Sequence, residues 1–354
     1  MKQKDKKQHT KYNGRLRNIS LPDLEVLDDR RESAAYKTSR TSTKLEHSYK
    51  NDSELKLARV MEVLSNYQCR IALEQDTVTA SISGRLKQFL YRSHGLLAVG
   101  DLVEVDIAPA PDYRVEKLVP RENSLIRYGS GTFQKDIVIA ANIDLLVITT
   151  SWLMPRFKPG LVDRYLILAA KHKIAPLIVV NKIDLCEDFD ELEESLAYYR
   201  QIGCDIILSS TVSGQGIEEL RDYLRDKDSV FSGHSGAGKS SLINCLEPGI
   251  ELLTAEVSDF NEKGKHTTTQ AVLLPWSFGG HLLDTPGIKT ISLHQDDVKI
   301  IPKLYPGFDQ YYPLCKFRDC SHMEEIGCAV LEALERGEID PERYESYRWI
   351  MQSP

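Results

Sequence analysis

The octapeptide Gly233-His234-Ser235-Gly236-Ala237-Gly238-Lys239-Ser240 constrains this chain more than any other stretch. It has the form G-x-x-x-x-G-K-[ST]. An apolar run, Ser229-Val230-Phe231, leads into it, and a helical pattern, Ser240-Ser241-Leu242-Ile243-Asn244-Cys245-Leu246, leads out. A strand that turns through glycines into a helix N-terminus aims backbone N–H groups and partial positive charge at a phosphate. The spacing therefore predicts a phosphate cradle over Gly233–Ser241. In it Lys239 reaches the β- and γ-phosphates and assists transfer, and the Ser240 hydroxyl meets Mg²⁺.

Such a loop belongs to an α/β sheet, and the surrounding sequence reads that way. Buried-strand candidates are Leu145–Thr149, Leu177–Val180, Ile206–Leu208, Ser229–Phe231, Ala271–Leu274 and His281–Leu283. Helical patterns at Val162–His172, Leu192–Ile202 and Ile217–Leu224 lie between them, as in a mostly parallel sheet covered on both faces. Three further motifs sit at strand ends. Asn181-Lys182-Ile183-Asp184 has the N-K-x-D form. The Asp184 carboxylate can accept from guanine N1–H and the 2-amino group together, and adenine would leave it unpaired. Lys182 would lay its stem over the base, and Asn181 would tie this loop to the phosphate loop. Ser209-Ser210 is the expected second base loop. In Asp284-Thr285-Pro286-Gly287, Asp284 is expected to hold Mg²⁺ through water and the Gly287 N–H to meet the γ-phosphate.

Gly264-Lys265-His266-Thr267-Thr268-Thr269 lies between the phosphate loop and Asp284. One hydroxyl of the triplet, Thr268 or Thr269, is expected on Mg²⁺ only while γ-phosphate is present, which makes the segment a switch. The motifs thus run base loop, second base loop, phosphate loop, switch, switch. A standard GTPase begins with the phosphate loop, so this order is a circular permutation; nearby termini allow one. It predicts a permuted P-loop domain binding GTP and GDP with Mg²⁺, and the base loop argues against an ATPase.

On either side of this domain the texture changes. Residues 1–55 are polar, without hydrophobic period, and read as a disordered extension. The first 17 residues carry seven Lys and Arg against Asp5 alone, a net +6, so with −7 overall the remainder carries −13. A basic tail on an acidic body can touch a phosphate backbone or simply stay solvated. Residues 56–125 hold short apolar stretches at Arg59–Leu64, Cys69–Leu73, Val78–Ile82, Leu96–Val99 and Leu102–Ile107. They suggest a small barrel, OB-like or SH3-like. The GTPase domain is expected over 126–297 and a mostly helical segment over 298–354, with helices around Ala329–Arg336 and Pro341–Met351. In that last segment Cys315, Cys320, His322 and Cys328 offer three thiolates and an imidazole at a spacing suited to a closed structural Zn²⁺ site. The other cysteines are scattered and read as small buried hydrophobes. No run of 18 apolar residues and no signal-peptide pattern is present, so a cytoplasmic protein without a membrane span is expected.

Taken together, the barrel, Arg121–Arg127, Asn181–Asp184, Gly233–Ser241, Gly264–Thr269, Asp284–Gly287 and the Cys/His knuckle resemble the ribosome small-subunit-dependent GTPase A family of circularly permuted bacterial GTPases. The resemblance covers about residues 58–350. It implies an OB barrel, a permuted GTPase domain and a zinc domain that together bind the 30S subunit and its 16S rRNA as a monomer. The implied action is late in small-subunit maturation, with GTP hydrolysis stimulated by the subunit. Tyr67, Phe89 and Tyr91 are candidate stacking aromatics on the barrel. Ile288 stands where Ras-like enzymes carry a water-orienting Gln, which predicts slow intrinsic turnover, and His266 is the candidate to position water. Gly236 stands where K⁺-activated relatives carry Asn, so no such dependence is expected. The competing function is a GTP-gated binding module acting on another RNA or protein.

Overall fold

The computed structural model describes residues 55–64, 67–87, 97–127, 137–250, 271–284 and 293–353. Expectations for the 1–55 extension, apart from Leu55, fall outside these residues, as do those for Phe89, Tyr91, the 264–269 switch, Gly287 and Ile288. Strands begin with β1 (Leu55–Val63), β2 (Gln68–Leu73), β3 (Asp76–Ile82), β4 (Leu102–Asp106) and β5 (Tyr113–Leu118). They pair in the order β1-β2-β3-β5-β4, and β4 returns to β1, closing the ring. The β3–β5 pair is parallel and the others antiparallel. Alternate residues fill the interior, with Val60, Cys69, Ile71, Val103, Val105 and Val115 fully buried. This is the OB arrangement of a five-stranded barrel.

One expected barrel strand is corrected. Leu97, Ala98 and Val99 are buried, but Val99 makes only an isolated bridge to Ala140. The Ala98 N–H is taken by the Asp101 carboxylate at 2.7 Å, and Arg121 holds that carboxylate at 2.6 and 2.8 Å. A side chain thus fills the place of a ladder partner, and the run stays a loop. The fifth strand is β5, whose Tyr-Arg-Val-Glu-Lys-Leu sequence buries only Val115 completely.

After the hairpin β6 (Ser124–Arg127) and β7 (Ile137–Ala141), strands and helices alternate. They are β8 (Leu145–Ser151), α1 (Pro159–His172), β9 (Ala175–Asn181), α2 (Phe189–Gln201), β10 (Asp205–Leu208), α3 (Ile217–Leu224), β11 (Lys227–Ser232), α4 (Lys239–Leu246), β12 (Val272–Pro275) and β13 (Gly280–Asp284). Sequence-local signals set the helix ends: Pro159 sits in the first turn of α1, and Asp188 caps α2 by accepting from the Asp190 and Glu191 N–H groups. The sheet order is β10-β9-β8-β11-β13-β12, parallel except for β12. Successive strand residues point to opposite faces. Leu146, Ile148, Ile178 and Val180 pack with α1 and α2. Leu145, Val147, Leu177 and Val179 pack with α3 and α4.

The barrel continues this sheet, since β1 meets β12 with Glu62 opposite Val272. Arg59 of β1 also pairs with the buried Asp228 of β11, whose other oxygen takes His281 Nδ1 at 2.7 Å. At the far end of the chain come α5 (Ile301–Leu304), α6 (Ala329–Glu335) and α7 (Pro341–Gln352). A buried polar hub ties them to the GTPase core. Asp163 of α1, fully buried, accepts from Tyr199 (2.8 Å), Tyr305 (3.1 Å) and Ser346 (2.5 Å) and pairs with Arg343 at 3.4 Å. Burial pushes the Asp163 carboxyl upward, opposed by Arg343 and the three hydroxyls. A buried charge of this kind is tolerated because both carboxylate oxygens have partners, one of them a cation. Among the described residues no helix is long and apolar enough to cross a membrane.

Candidate functional site: a nucleotide pocket and a Cys/His knuckle

Three loops converge at the C-terminal ends of the parallel strands, the usual place for a ligand in an open α/β sheet. The phosphate loop follows β11. Gly233 has φ +144°, and a Cβ there would lie 1.9 Å from the Thr149 carbonyl oxygen of the neighbouring strand. Gly238 has φ +93°, and its Cβ would lie 2.3 Å from Asn181 Nδ2. At both positions only glycine lets the loop approach its neighbour. Lys239 folds back onto its own loop, its ammonium donating to the carbonyls of Gly233 and His234 at 2.8 Å each. Ser235, Gly236, Ser240 and Ser241 are exposed and Ala237 is buried. His234 Nδ1 lies 2.9 Å from the Ser235 carbonyl, which can only accept, so this nitrogen carries the proton.

The base loop follows β9. Asn181 is fully buried, and its side-chain amide donates to the Ala237 carbonyl at 3.1 Å, the tie between base and phosphate loops that the sequence suggested. Ser209, at the end of β10, faces the Asn181 side-chain oxygen at 3.5 Å. Ser210 donates to Asp184 at 2.5 Å and accepts from the N–H groups of Val212 and Ser213. Asp184 is therefore aligned by one hydroxyl while remaining exposed, with acceptor capacity left for a ligand. Asp284 is buried at the end of β13, one strand from the phosphate loop. The structure thus brings Asn181, Lys182, Asp184, Ser209, Ser210, Gly233–Ser241 and Asp284 to one edge of the sheet.

The knuckle lies apart from this pocket. The ligand atoms of Cys315, Cys320, His322 and Cys328 all fall within 4.8 Å of one another. His322 Nδ1 is 3.6 Å from Cys315 Sγ and 3.3 Å from Cys328 Sγ, and the two sulfurs are 4.0 Å apart. Tetrahedral bonds of about 2.3 Å to sulfur and about 2.0 Å to nitrogen would give edges of roughly 3.5–3.8 Å, so this set fits a zinc-sized ion. His322 Nε2 donates to the Pro302 carbonyl at 3.2 Å, which leaves the Nδ1 lone pair facing the thiols. Burial first, and then the neighbouring Cys315, pushes the Cys320 and Cys328 thiols upward, a penalty that metal coordination would reverse by favouring thiolate.

Sequence reading missed the supports of both places. Glu325 closes the knuckle loop by accepting from Ser321 and from the Met323 and Glu324 N–H groups. Burial opposes its ionisation, but these hydrogen bonds outweigh burial and hold its carboxyl at about 2. Tyr344 and Tyr347 of α7 donate to the His322 and Ser321 carbonyls. At the pocket, the segment after β8 reaches Lys182 through the Met154 carbonyl. No local pattern announces these contacts.

Comparison with known proteins agrees with this geometry. Residues 118–294 match the RsgA GTPase family. The chain is 46% identical over 269 residues to the small ribosomal subunit biogenesis GTPase RsgA of Chlorobaculum tepidum, covering 73% of this chain and 85% of that protein. Its fold is similar to YjeQ from Thermotoga maritima, with TM-score 0.68, 29% identity, and coverage of 84% of this chain and 98% of that one. It is also similar to YloQ, described as a circularly permuted GTPase, with TM-score 0.65, 26% identity, and coverage of 86% and 97%. The chain belongs to the RsgA GTPase family and is a circularly permuted, GTP-hydrolysing enzyme.

Proposed function

We propose that this protein binds the 30S ribosomal subunit and its 16S rRNA, as a cytoplasmic monomer, late in small-subunit maturation. On this reading it hydrolyses GTP at a rate raised by that contact. The observation that carries the nucleotide part is the base loop: Asp184 is aligned by Ser210, and Asn181 ties the loop to the phosphate loop. The subunit part rests on the similarity to small ribosomal subunit biogenesis GTPases and on a barrel whose Tyr67 is exposed with the Lys87 ammonium 4.9 Å over its ring. An aromatic under a cation on an OB surface suits stacking against a nucleic-acid strand.

In this reading Asp184 selects guanine, Lys182 covers it, and the Gly233–Ser241 backbone holds the phosphates. Lys239 leaves its two carbonyls for the β- and γ-phosphates. Ser240, Asp284 and one of Thr268 and Thr269 would hold Mg²⁺, which would supply charge neutralisation on the phosphates. The Gly287 N–H meets the γ-phosphate, and His266 positions the attacking water. Cys315, Cys320, His322 and Cys328 hold a structural Zn²⁺ with no open position. We assign 56–125 to the barrel, 126–297 to the GTPase domain and 298–354 to the zinc-bearing segment. GTP turnover measured with and without purified 30S subunits tests the proposal. A strong rise that is lost in His266→Ala is expected; no rise would sink it.

A further inference from the structure

We propose that the turn between β8 and α1, Ser151 to Phe157, is a positioning element for Lys182 and so sets how tightly guanine nucleotide is held. The inference rests on the reading of Lys182 as the residue that covers the base.

The turn is pinned at both ends. The Trp152 N–H donates to the Asn181 carbonyl at 3.2 Å, and the Phe157 N–H donates to the Trp152 carbonyl at 2.9 Å. Trp152 and Phe157 are buried with ring centroids 6.3 Å apart, and Phe157 meets Tyr199 edge-on at 6.4 Å. Across the turn the Ser151 hydroxyl donates to the Pro155 carbonyl at 2.8 Å. What projects between the pins is Met154, 75% exposed and at φ +53°, a conformation that costs a non-glycine residue energy and persists only where its surroundings impose it.

The projecting part touches both nucleotide loops. Pro155 Cδ lies 3.5 Å from where a Cβ on Gly236 would stand, so the turn leans on the phosphate loop. The Met154 carbonyl accepts the Lys182 ammonium. Lys182 itself has φ +62°, and its Cε comes within 4.0 Å of a Cβ built on Gly238. A lysine stem is rich in rotamers, and fixing it on binding opposes affinity. An acceptor that holds the ammonium leaves the stem less freedom to lose when it covers the base. The group that does so is a backbone carbonyl, so its effect depends on the turn's rigidity and not on the exposed Met154 side chain.

The test is a double-mutant cycle on the full chain, read as the dissociation rate of a fluorescent GDP analogue and as the thermal midpoint. Ser151→Ala removes the tether across the turn, and Lys182→Met keeps the stem while removing the ammonium. Ser151→Ala should speed release about three- to tenfold in the wild-type background, the worth of one net hydrogen bond, and less than about 1.5-fold in Lys182→Met. Met154→Gly is the second variant, in case Ser151→Ala folds poorly. It relieves the positive φ, so it should keep the melting temperature yet release the analogue faster, again only while Lys182 is present. Equal effects in both backgrounds, or no change in release, would overturn the proposal. Asp184→Asn separates the two readings: if GDP is still preferred over ADP, the base-loop reading fails and this inference with it. If that preference is lost but the cycle is additive, only the turn's role falls.

Discussion

The base loop and the Cys/His knuckle are each spelled by four residues, yet they are built on opposite principles. In the base loop the protein satisfies itself. Asn181 donates to Ala237, Ser210 aligns Asp184, and Met154 takes the Lys182 ammonium. In the knuckle the four ligand atoms face one another, and burial disfavours the charged forms of Cys320, His322 and Cys328. The outer contacts from Pro302, Glu325, Tyr344 and Tyr347 hold the shell, while its centre calls for a cation. A receptor can be preformed, whereas a structural metal site is completed only by its ion. Removing a ligand should therefore leave the first region folded and dismantle the second.

The largest effect expected is on the knuckle. Structural zinc supplies on the order of 10 kcal/mol to small sites, so a strong chelator, or Cys320→Ser, should unfold the 315–328 segment. Hydrogen exchange there should become fast, while GDP affinity changes by less than about threefold. Loss of both together would erase the distinction. Next in size is Asp184→Ala, which should lower the preference for GTP over ATP by up to about 10⁴-fold with little change in melting, checked by competition binding. The hub joining the two regions comes third. Arg343→Ala would leave Asp163 buried without its cation and should cost about 3–5 kcal/mol in urea unfolding. If α7 alone loosens and the sheet stays intact, the hub is a clasp for the knuckle segment and not part of the common core.

His172 provides a control outside both regions. Its Nδ1 donates to the Ser124 carbonyl at 2.9 Å, and its buried Nε2 has no partner among the described residues. Burial first, then the neighbouring Lys171, lowers the imidazole to about 4. The unfolded chain takes up a proton near pH 6.5 that the folded chain refuses. This contribution is thus full above pH 6.5 and is lost as pH falls toward 4, by about 1.4 kcal/mol per pH unit at its steepest. His172→Gln should flatten that slope in denaturation series between pH 7.5 and 4.5 without altering either metal content or GDP release.

What the sequence revealed follows the same division between local and distant causes. The phosphate loop was legible because its glycines answer to torsion and close approach within a few residues. The base loop was legible because Asn181 and Asp184 carry their chemistry in a tetrapeptide. The strands flanking them were legible as apolar runs. The barrel was less so. Its strands could be guessed, but the OB order rests on β3 meeting β5 and β4 returning to β1, which no local pattern encodes. The polar run of β5 carries less signal than the apolar Leu96–Val99, of which Leu97, Ala98 and Val99 lie in a loop held by Asp101. The hub was invisible for a plainer reason: Asp163 and Arg343 are 180 residues apart, and each looks like an ordinary surface charge until the fold buries it.

The permuted order also has a consequence for the moment of synthesis. Strands β8, β9 and β10, with α1 and α2 between them, occupy residues 145–208 without interruption and, among the described residues, pair only with one another and with β11. A nascent chain can therefore assemble the half that carries the base loop from pairings roughly 30 residues apart, before β11 is made. Until β11 emerges, the inner side of β8 has no neighbour, and the strand that then fills it carries the phosphate loop. Pulse-labelled exchange during refolding should show β9 and β10 amides protected before those of β11 and β13. The ability to recognise the base would then arise before the ability to grip its phosphates, the reverse of the sequence in which an unpermuted GTPase is made.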